Sequence, residues 1–337
     1  MDHEHPPVAA AATLTDVARR AGVSLATASR VLNGSSRTVG ATMAARVHAA
    51  ADELSYSPHG PAQAMARGHT MSIGMLAPDI ADPYFTQLSA GATQAAAQHS
   101  MMLSVAVHHA DLDRELQQVR SFRAQRVRGL MIAGSRPAGE DPEQLLRAVG
   151  ELPVVVVGQQ LGDLPCVGFA NEQGAAALAE SLLGLGYQRF VVLTGPDHHA
   201  TSLERARGFA DVLAGAGVGL EAVSGEFSRD GGYDAMTRAL PLVRPGTAPV
   251  CVFAVTDMMA LGAMTALHEA GISVGPEVGM AGFNDLPILA DLRPGLTTVR
   301  LPLREAGMAA IDGLLGGELP SEPFGGQVVL RQSTPPR

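Results

Sequence analysis

The sequence predicts a small all-α head followed by a large α/β body of two lobes, each a doubly wound parallel sheet. Three observations carry this. Apolar residues between Thr13 and Leu54 recur at helical spacing around a glycine turn, strand-length apolar runs alternate with helical stretches from Ser72 onward, and the charge divides between the two parts. The chain has 337 residues, which fits two to three domains at roughly 150 residues each. Apolar residues make up 46% and charged residues 17%, enough for large cores and unlike a disordered chain.

In the head, Leu14, Val17, Ala18 and Ala21 follow the i, i+3, i+4, i+7 pattern and give a first helix one apolar face. Gly22-Val23-Ser24 breaks it: Gly22 suits a left-handed cap, and Ser24 can accept backbone N–H bonds at the start of the next helix. The second helix, LATASRVLN (25–33), turns Thr27, Ala28 and Val31 inward with Val23. It presents Leu25, Ala26, Ser29 and Arg30 on the other face. A third helix runs from about Ala41 to Leu54 and buries Val47, Ala50 or Ala51, and Leu54. Two short helices joined by a glycine turn, with an arginine exposed on the second, form a helix-turn-helix; a generic helical bundle is the alternative.

The body offers the strand candidates SIGMLAP, MLSVAV, GLMIA, PVVVVG, VGF, FVVLTG, VCVFAV and VGMAGF, with helices such as PYFTQLSAGATQAAAQ and DMMALGAMTALHEAG between them. Alternation of this kind implies parallel sheets covered on both faces. About 265 residues is long for one such sheet, so two lobes are expected.

All 24 basic residues are arginine. From Thr13 to Thr70 six arginines face three acidic residues, whereas from Met71 on 18 face 28, within a net charge of −9. A basic head on an acidic body reads as a polyanion-binding module joined to a part with another task. The two cysteines, Cys166 and Cys251, sit in apolar runs and read as buried reduced thiols of a cytoplasmic protein. No apolar run reaches the ~18 residues that span a bilayer, and the acidic start MDHEHPPVAAAA is unlike a signal peptide. No cofactor or metal is expected. The glycines of LAGAGVGLEA (213–222) end a helix instead of opening one, and the neighbouring pairs His108-His109 and His198-His199 do not converge on one ion. Asp2-His3-Glu4-His5 reads as a polar tail, and no catalytic triad can be assembled from the sequence.

The run TLTDVARRAGVSLATASRVLNG (13–34), continued by RVHAAADELSYSPHGPAQAMA (46–66), resembles the DNA-binding head and hinge of the LacI/GalR family of bacterial transcription regulators. The resemblance implies that the second helix lies in the major groove, with Leu25 and Ala26 at the positions that help set operator preference. Those two can offer only apolar contact, whereas Arg30 can bridge the O6 and N7 of a guanine. Ser24, Thr27, Ser29 and Asn33 suit phosphates, with helix packing as the alternative for Thr27 and Ser29. Met65 falls where the family wedges a leucine into the minor groove, and methionine can serve as such a wedge. The expected divisions are a disordered tail over 1–12, the helix-turn-helix domain over 13–58, a hinge helix and linker over 59–70, and the effector-binding and dimerisation body over 71–337.

The body resembles the periplasmic-binding-protein-like effector domain of the same family, which implies three crossings between lobes, near 170, 290 and 320, and a ligand outside the carboxyl ends of the strands. Tyr84 and Phe85, just after the first strand, either stack on a ligand or cap the sheet. The segment SLERARGF (202–209) resembles the family's Ser-x-x-Arg-x-x-Gly-Phe; Arg205 then grips hydroxyls or a carboxylate, or else pairs with a carboxylate bridging the lobes. After the strand VCVFAV, Thr256 faces the ligand and Asp257 either caps the following helix or touches the ligand; Asn284 stands where many relatives place a ligand-binding aspartate. The segment PGLTTV (294–299) resembles a structural crossover.

The reading is a regulator, not an enzyme: a homodimeric repressor on a pseudo-palindromic operator, controlled by a small molecule between the lobes. The effector is a sugar or sugar acid, with a purine as the alternative, and both inducer and corepressor logic stay open. A transport-type solute-binding protein and a hydrolase are the competing classes. The end LRQSTPPR carries no leucine heptads, so a dimer is expected over a tetramer.

Overall fold

A computed structural model describes residues 12–33, 39–57, 64, 68–137, 142–196, 199–244 and 248–337, with the Asn33 side chain left aside. The tail expected over 1–12, save Ala12, most of the hinge expected over 59–70 and the Met65 wedge lie outside the described residues. The chain divides into two compact units, Met1–Thr70 and Met71–Arg337.

In the first unit α1 (Leu14–Ala21), α2 (Leu25–Asn33) and α3 (Ala41–Glu53) close around Val17, Ala18, Ala21, Ala28, Val47, Ala50 and Ala51. The Asp16 N–H donates to the Thr13 hydroxyl at 3.3 Å and the Thr13 N–H to the Asp16 carboxylate at 3.0 Å, a capping box that fixes where α1 starts. Gly22, at φ 63°, ends it in the left-handed conformation. Leu54, expected in the core, is half-buried just past the end of α3.

The second unit holds two parallel sheets. In the first lobe β1 (Ser72–Ala77), β2 (Met102–Val107), β3 (Leu130–Gly134), β4 (Val154–Gly158) and β5 (Cys166–Gly168) lie in the order β2-β1-β3-β4-β5. In the second, β6 (Arg189–Thr194), β7 (Leu220–Ser224), β8 (Val250–Ala254) and β9 (Val278–Ala281) lie in the order β7-β6-β8-β9. A short antiparallel pair, β10 (Thr298–Arg300) and β11 (Gln327–Val329), joins the connections.

The strands β1, β3, β4, β8 and β9 are almost wholly buried, as near-continuous apolar runs in parallel sheets should be. Strands β7, β10 and β11 were not among the sequence candidates. The edge strand β7 pairs only with β6 and exposes Glu221 and Ala222, so it carries no apolar run to announce it. The other two are three residues long.

The helices of the first lobe are α4 (Pro83–Gln98), α5 (Leu112–Ala124), α6 (Glu143–Val149) and the returning α11 (Leu303–Leu314). Those of the second are α7 (Asn171–Gly184), α8 (Ala200–Gly215), α9 (Arg229–Ala239) and α10 (Asp257–Glu269). Three pairs cross with backbones nearly touching. A Cβ on Gly91 of α4 would stand 1.9 Å from the Arg304 carbonyl of α11, and one on Gly208 of α8 would stand 2.2 Å from the Glu172 carbonyl of α7. The pair α9/α10 is closer still.

The chain passes between lobes after Phe169, before Leu303 and after α11. The second crossing lies beyond the expected position near 290, because Thr297 and Thr298 still belong to the second lobe: Thr297 bridges Ala281, and the Thr298 hydroxyl donates to Asp257 at 2.7 Å. Both cysteines are free; burial pushes the Cys166 thiol up to about 11 and the Cys251 thiol further, so neither is a thiolate at neutral pH. Among the described residues no helix is long and apolar enough to cross a membrane.

Candidate functional site

The head offers one outward stripe. Ala28 is fully buried beneath it, while Leu25 (51% exposed), Ala26 and Arg30 face solvent. The turn that aims α2 is clamped from α3: the Arg46 guanidinium donates to the Ala21 and Gly22 carbonyls. The Ser24 hydroxyl accepts from the Thr27 N–H at 3.1 Å and pairs with the Thr27 hydroxyl at 2.8 Å, so part of the capacity expected for phosphates serves the start of α2. Ser29 is half-buried. Arg19 pairs with Asp16 and Arg20 with Glu53, whereas Arg30 makes no ion pair among the described residues. It is the exposed cation of α2 left to meet an anion or a base edge.

The body holds a cavity of about 440 Å³ between its lobes. Every strand from β1 to β9 reaches it by the residues just past or at its carboxyl end: Pro78, His109, Gly134, Gly158, Phe169, Pro196, Glu226, Thr256 and Asn284 stand on its wall. Of the residues proposed from sequence for the ligand, Tyr84, Phe85, Arg205, Thr256 and Asn284 line this one cavity. Tyr84 meets Phe85 edge-on with ring centroids 5.0 Å apart and Phe169 at 6.5 Å. Burial pushes the Tyr84 phenol up to about 12, so it stays a neutral donor.

Arg205 is 2% exposed. Its Nε donates to Asn171 Oδ1 at 3.0 Å and its Nη1 to the Val255 carbonyl at 2.8 Å, and its guanidinium lies 4.0 Å over the Phe283 ring. Burial lowers it to about 10, which leaves it protonated at neutral pH. Asn171 in turn donates to Glu204 at 2.8 Å, so the side-chain partner of Arg205 is an amide of its own lobe, and among the described residues no carboxylate pairs with it. Asn284 is 4% exposed with φ 125°, and its Oδ1 has no hydrogen-bond partner among the described residues. A buried acceptor held in a rare conformation on a cavity wall is ready for a ligand donor.

Asp257 is not brought to the cavity. The cap of α10 is Thr256, whose hydroxyl accepts from the Met259 N–H at 3.3 Å. Asp257 is fully buried one residue on, where it accepts from the Thr298 hydroxyl at 2.7 Å and the Leu286 N–H at 2.8 Å, and burial raises it to about 6. Its role is to tie α10 to the segments after β9. The sequence reading missed Phe169, Asn171, Ser135 and His199, although the strand-end rule reaches the first three directly.

A pH prediction arises here. Burial, with Arg136 nearby, lowers His108 to about 4 from its ordinary 6.5. The unfolded chain therefore takes this proton where the folded one refuses it, so the stability His108 contributes is full above about 6.5 and is lost as pH falls toward about 4. Asp257, raised instead, acts with the opposite sign between 3.8 and about 6. Urea midpoints measured across this range should fall less steeply toward acid in H108N than in the parent; parallel curves would contradict the assignment.

The residues 13–59 match the model of bacterial regulatory proteins of the lacI family, and 70–316 match that of periplasmic binding proteins and the sugar-binding domain of the LacI family. The chain is 32% identical to the HTH-type transcriptional regulator GalR of Escherichia coli K12 over 300 residues, 87% of this chain and 85% of that one. It is 31% identical to the transcriptional repressor PurR of Proteus mirabilis, over 90% of this chain and 89% of that one. Among solved structures it is similar to the lac repressor dimer bound to operator and the anti-inducer ONPF, with a TM-score of 0.82, 28% identity, and coverage of 96% and 99%.

Proposed function

The chain belongs to the LacI family of bacterial regulatory proteins, and on that premise we propose that it is a homodimeric repressor whose grip on a pseudo-palindromic operator is set by a sugar or sugar acid between its lobes. It is a DNA-binding transcriptional regulator under effector control, and its cavity binds its ligand without turning it over. It works in the cytoplasm beside the nucleoid. In the head, Arg30 reads a guanine, Leu25 and Ala26 give apolar contact to base edges, Ser24, Thr27, Ser29 and Asn33 hold phosphates, and Met65 wedges the minor groove. In the body, Tyr84 and Phe85 face the sugar ring, while Arg205, Thr256 and Asn284 take its hydroxyls.

One observation carries the effector reading: the cavity wall combines a buried guanidinium with an amide oxygen that has no partner among the described residues and an edge-on aromatic pair. Donors, acceptors and an apolar face at one place are what a polyol ring needs. Tyr84 and Phe85 stand on the first lobe and Arg205 and Asn284 on the second, so a ligand touching both favours one arrangement of the lobes. By linkage, operator must then change sugar affinity by the same factor that sugar changes operator affinity.

The test is a binding selection from sheared genomic DNA of the source, followed by release with a sugar panel. Recovered fragments should share a near-palindrome. In R30A, affinity for that site should fall by about 1–3 kcal/mol, roughly 5- to 150-fold, while the slope against salt changes by no more than about one. Loss of specific and bulk DNA affinity to the same extent would remove Arg30 from base reading.

A further inference from the structure

A second, smaller chamber of about 120 Å³ adjoins the cavity on the side of the first lobe. The two share Pro78, Ala110, Gly134, Ser135 and His199 in their walls, so they lie side by side across these residues. The chamber has a mixed lining. His108 and Glu115, 7% and 1% exposed, share it with Ile132 and Val156. The Glu115 carboxylate pairs with the Arg136 guanidinium, and the Arg136 backbone N–H donates to Gln159 Oε1 at 2.7 Å. His108 Nδ1 has no partner among the described residues. The backbone at this shared wall is unusual too: His109 and Ala110 take left-handed φ of 53° and 57° in succession. Strained non-glycine backbone at the rim of a cavity is kept where the surrounding site needs it.

We propose that this chamber is a second subsite, which takes a short, neutral, hydroxyl-bearing arm carried by the sugar in the main cavity. The inference rests on the sugar reading above. Its chemistry follows from the lining. A room of 120 Å³ holds about four water molecules at ~30 Å³ each, close to the bulk of one three-carbon polyol and too little for a second sugar ring. The carboxylate and guanidinium within it cancel, so neither an anionic nor a cationic arm gains from entering. His108 stays neutral at physiological pH, and its Nδ1 accepts from an arm hydroxyl. Water that fills an empty chamber gives way to an arm that reproduces its hydrogen bonds.

The test uses the full-length protein and matched glycosides of glucose, galactose and mannose, each with a methyl, a glycerol or a glycerate group on the anomeric oxygen. Affinities are read by calorimetry. For whichever ring binds, the glycerol glycoside should bind about tenfold more tightly than the methyl glycoside, with the glycerate form no better than methyl. That factor equals about 1.4 kcal/mol, in the range of one buried hydrogen bond. In H108A the advantage should fall below threefold, and H108N, whose amide oxygen can stand in for Nδ1, should recover most of it; thermal melts confirm that each variant folds. Equal binding of methyl and glycerol forms overturns the subsite and leaves the sugar reading intact, as does an advantage that H108A does not touch. Binding by none of these glycosides, with operator released by guanine or hypoxanthine, overturns both.

Discussion

Replacing Arg205 with leucine should weaken the binding of an operator-releasing sugar by about 100-fold, near 2.8 kcal/mol. The guanidinium is fixed before any ligand arrives: Asn171 and Val255 take two of its N–H groups, and Phe283 supports its face. No other hydrogen bond joins it to a described residue, so its remaining donors serve the cavity it lines. Because it is buried and preorganised, each bond to a sugar oxygen forms without ordering cost and in a low dielectric. Leucine removes those donors and also strands Asn171 Oδ1 and the Val255 carbonyl, at about 1–3 kcal/mol for each buried acceptor.

The variant should therefore melt lower as well, which is why R205K belongs beside it. Lysine keeps the charge, but a single ammonium cannot span the two acceptors and the ring as the planar fork does. It should lose about tenfold or more in sugar affinity while costing less stability. Operator affinity without sugar should change far less in both, since the base-reading residues belong to the other compact unit. A folded R205L that binds the sugar within threefold of the parent would remove Arg205 from the site.

Arg205 was legible because both of its signals are local: a distinctive spacing to Ser202 and Gly208, and a helix opening at a strand's carboxyl end. The head was legible for the same reason, since its three helices are set by short-range periodicity, a capping box and one left-handed glycine. What stayed hidden depends on partners far along the chain. Thr256 and Asp257 are both good N-cap residues, and the choice between them is made by Leu286 and Thr298, which hold Asp257 from 29 and 41 residues away. The small chamber needs a left-handed turn at His109-Ala110 and an ion pair between Glu115 and Arg136. No periodicity signals either. The late second crossing between lobes has the same origin, in side-chain bonds that keep Thr297 and Thr298 with the second sheet.

Adding one methyl group at Gly262 should destabilise the body by about 3 kcal/mol, lowering its melting temperature by roughly 6–12 °C. Helix propensity alone predicts the opposite, a gain of about 0.8–1 kcal/mol for alanine over glycine. The crossing of α9 and α10 decides the sign. A Cβ at Gly262 would stand 1.8 Å from the Arg229 carbonyl and 2.7 Å from the Tyr233 nitrogen, and at the facing Gly232 it would stand 2.1 Å from the Met259 carbonyl. These are backbone atoms within helices, so no side chain can swing aside. The helices must part by more than an ångström, which loosens the core to which Ala235, Met236, Met259 and Ala263 belong.

Gly184, at the end of α7, supplies the contrast. A Cβ there meets nothing within 4 Å, so G184A should show the propensity gain undiluted, about 0.5–1 kcal/mol. Thermal melts of the two variants test the pair together, and G262A melting at or above the parent would refute the backbone-contact account. The effect should also reach the ligand. Parting the helices shifts the first turn of α10 and with it Thr256 on the cavity wall, so G262A should lose stability and sugar affinity together, while G184A should lose neither.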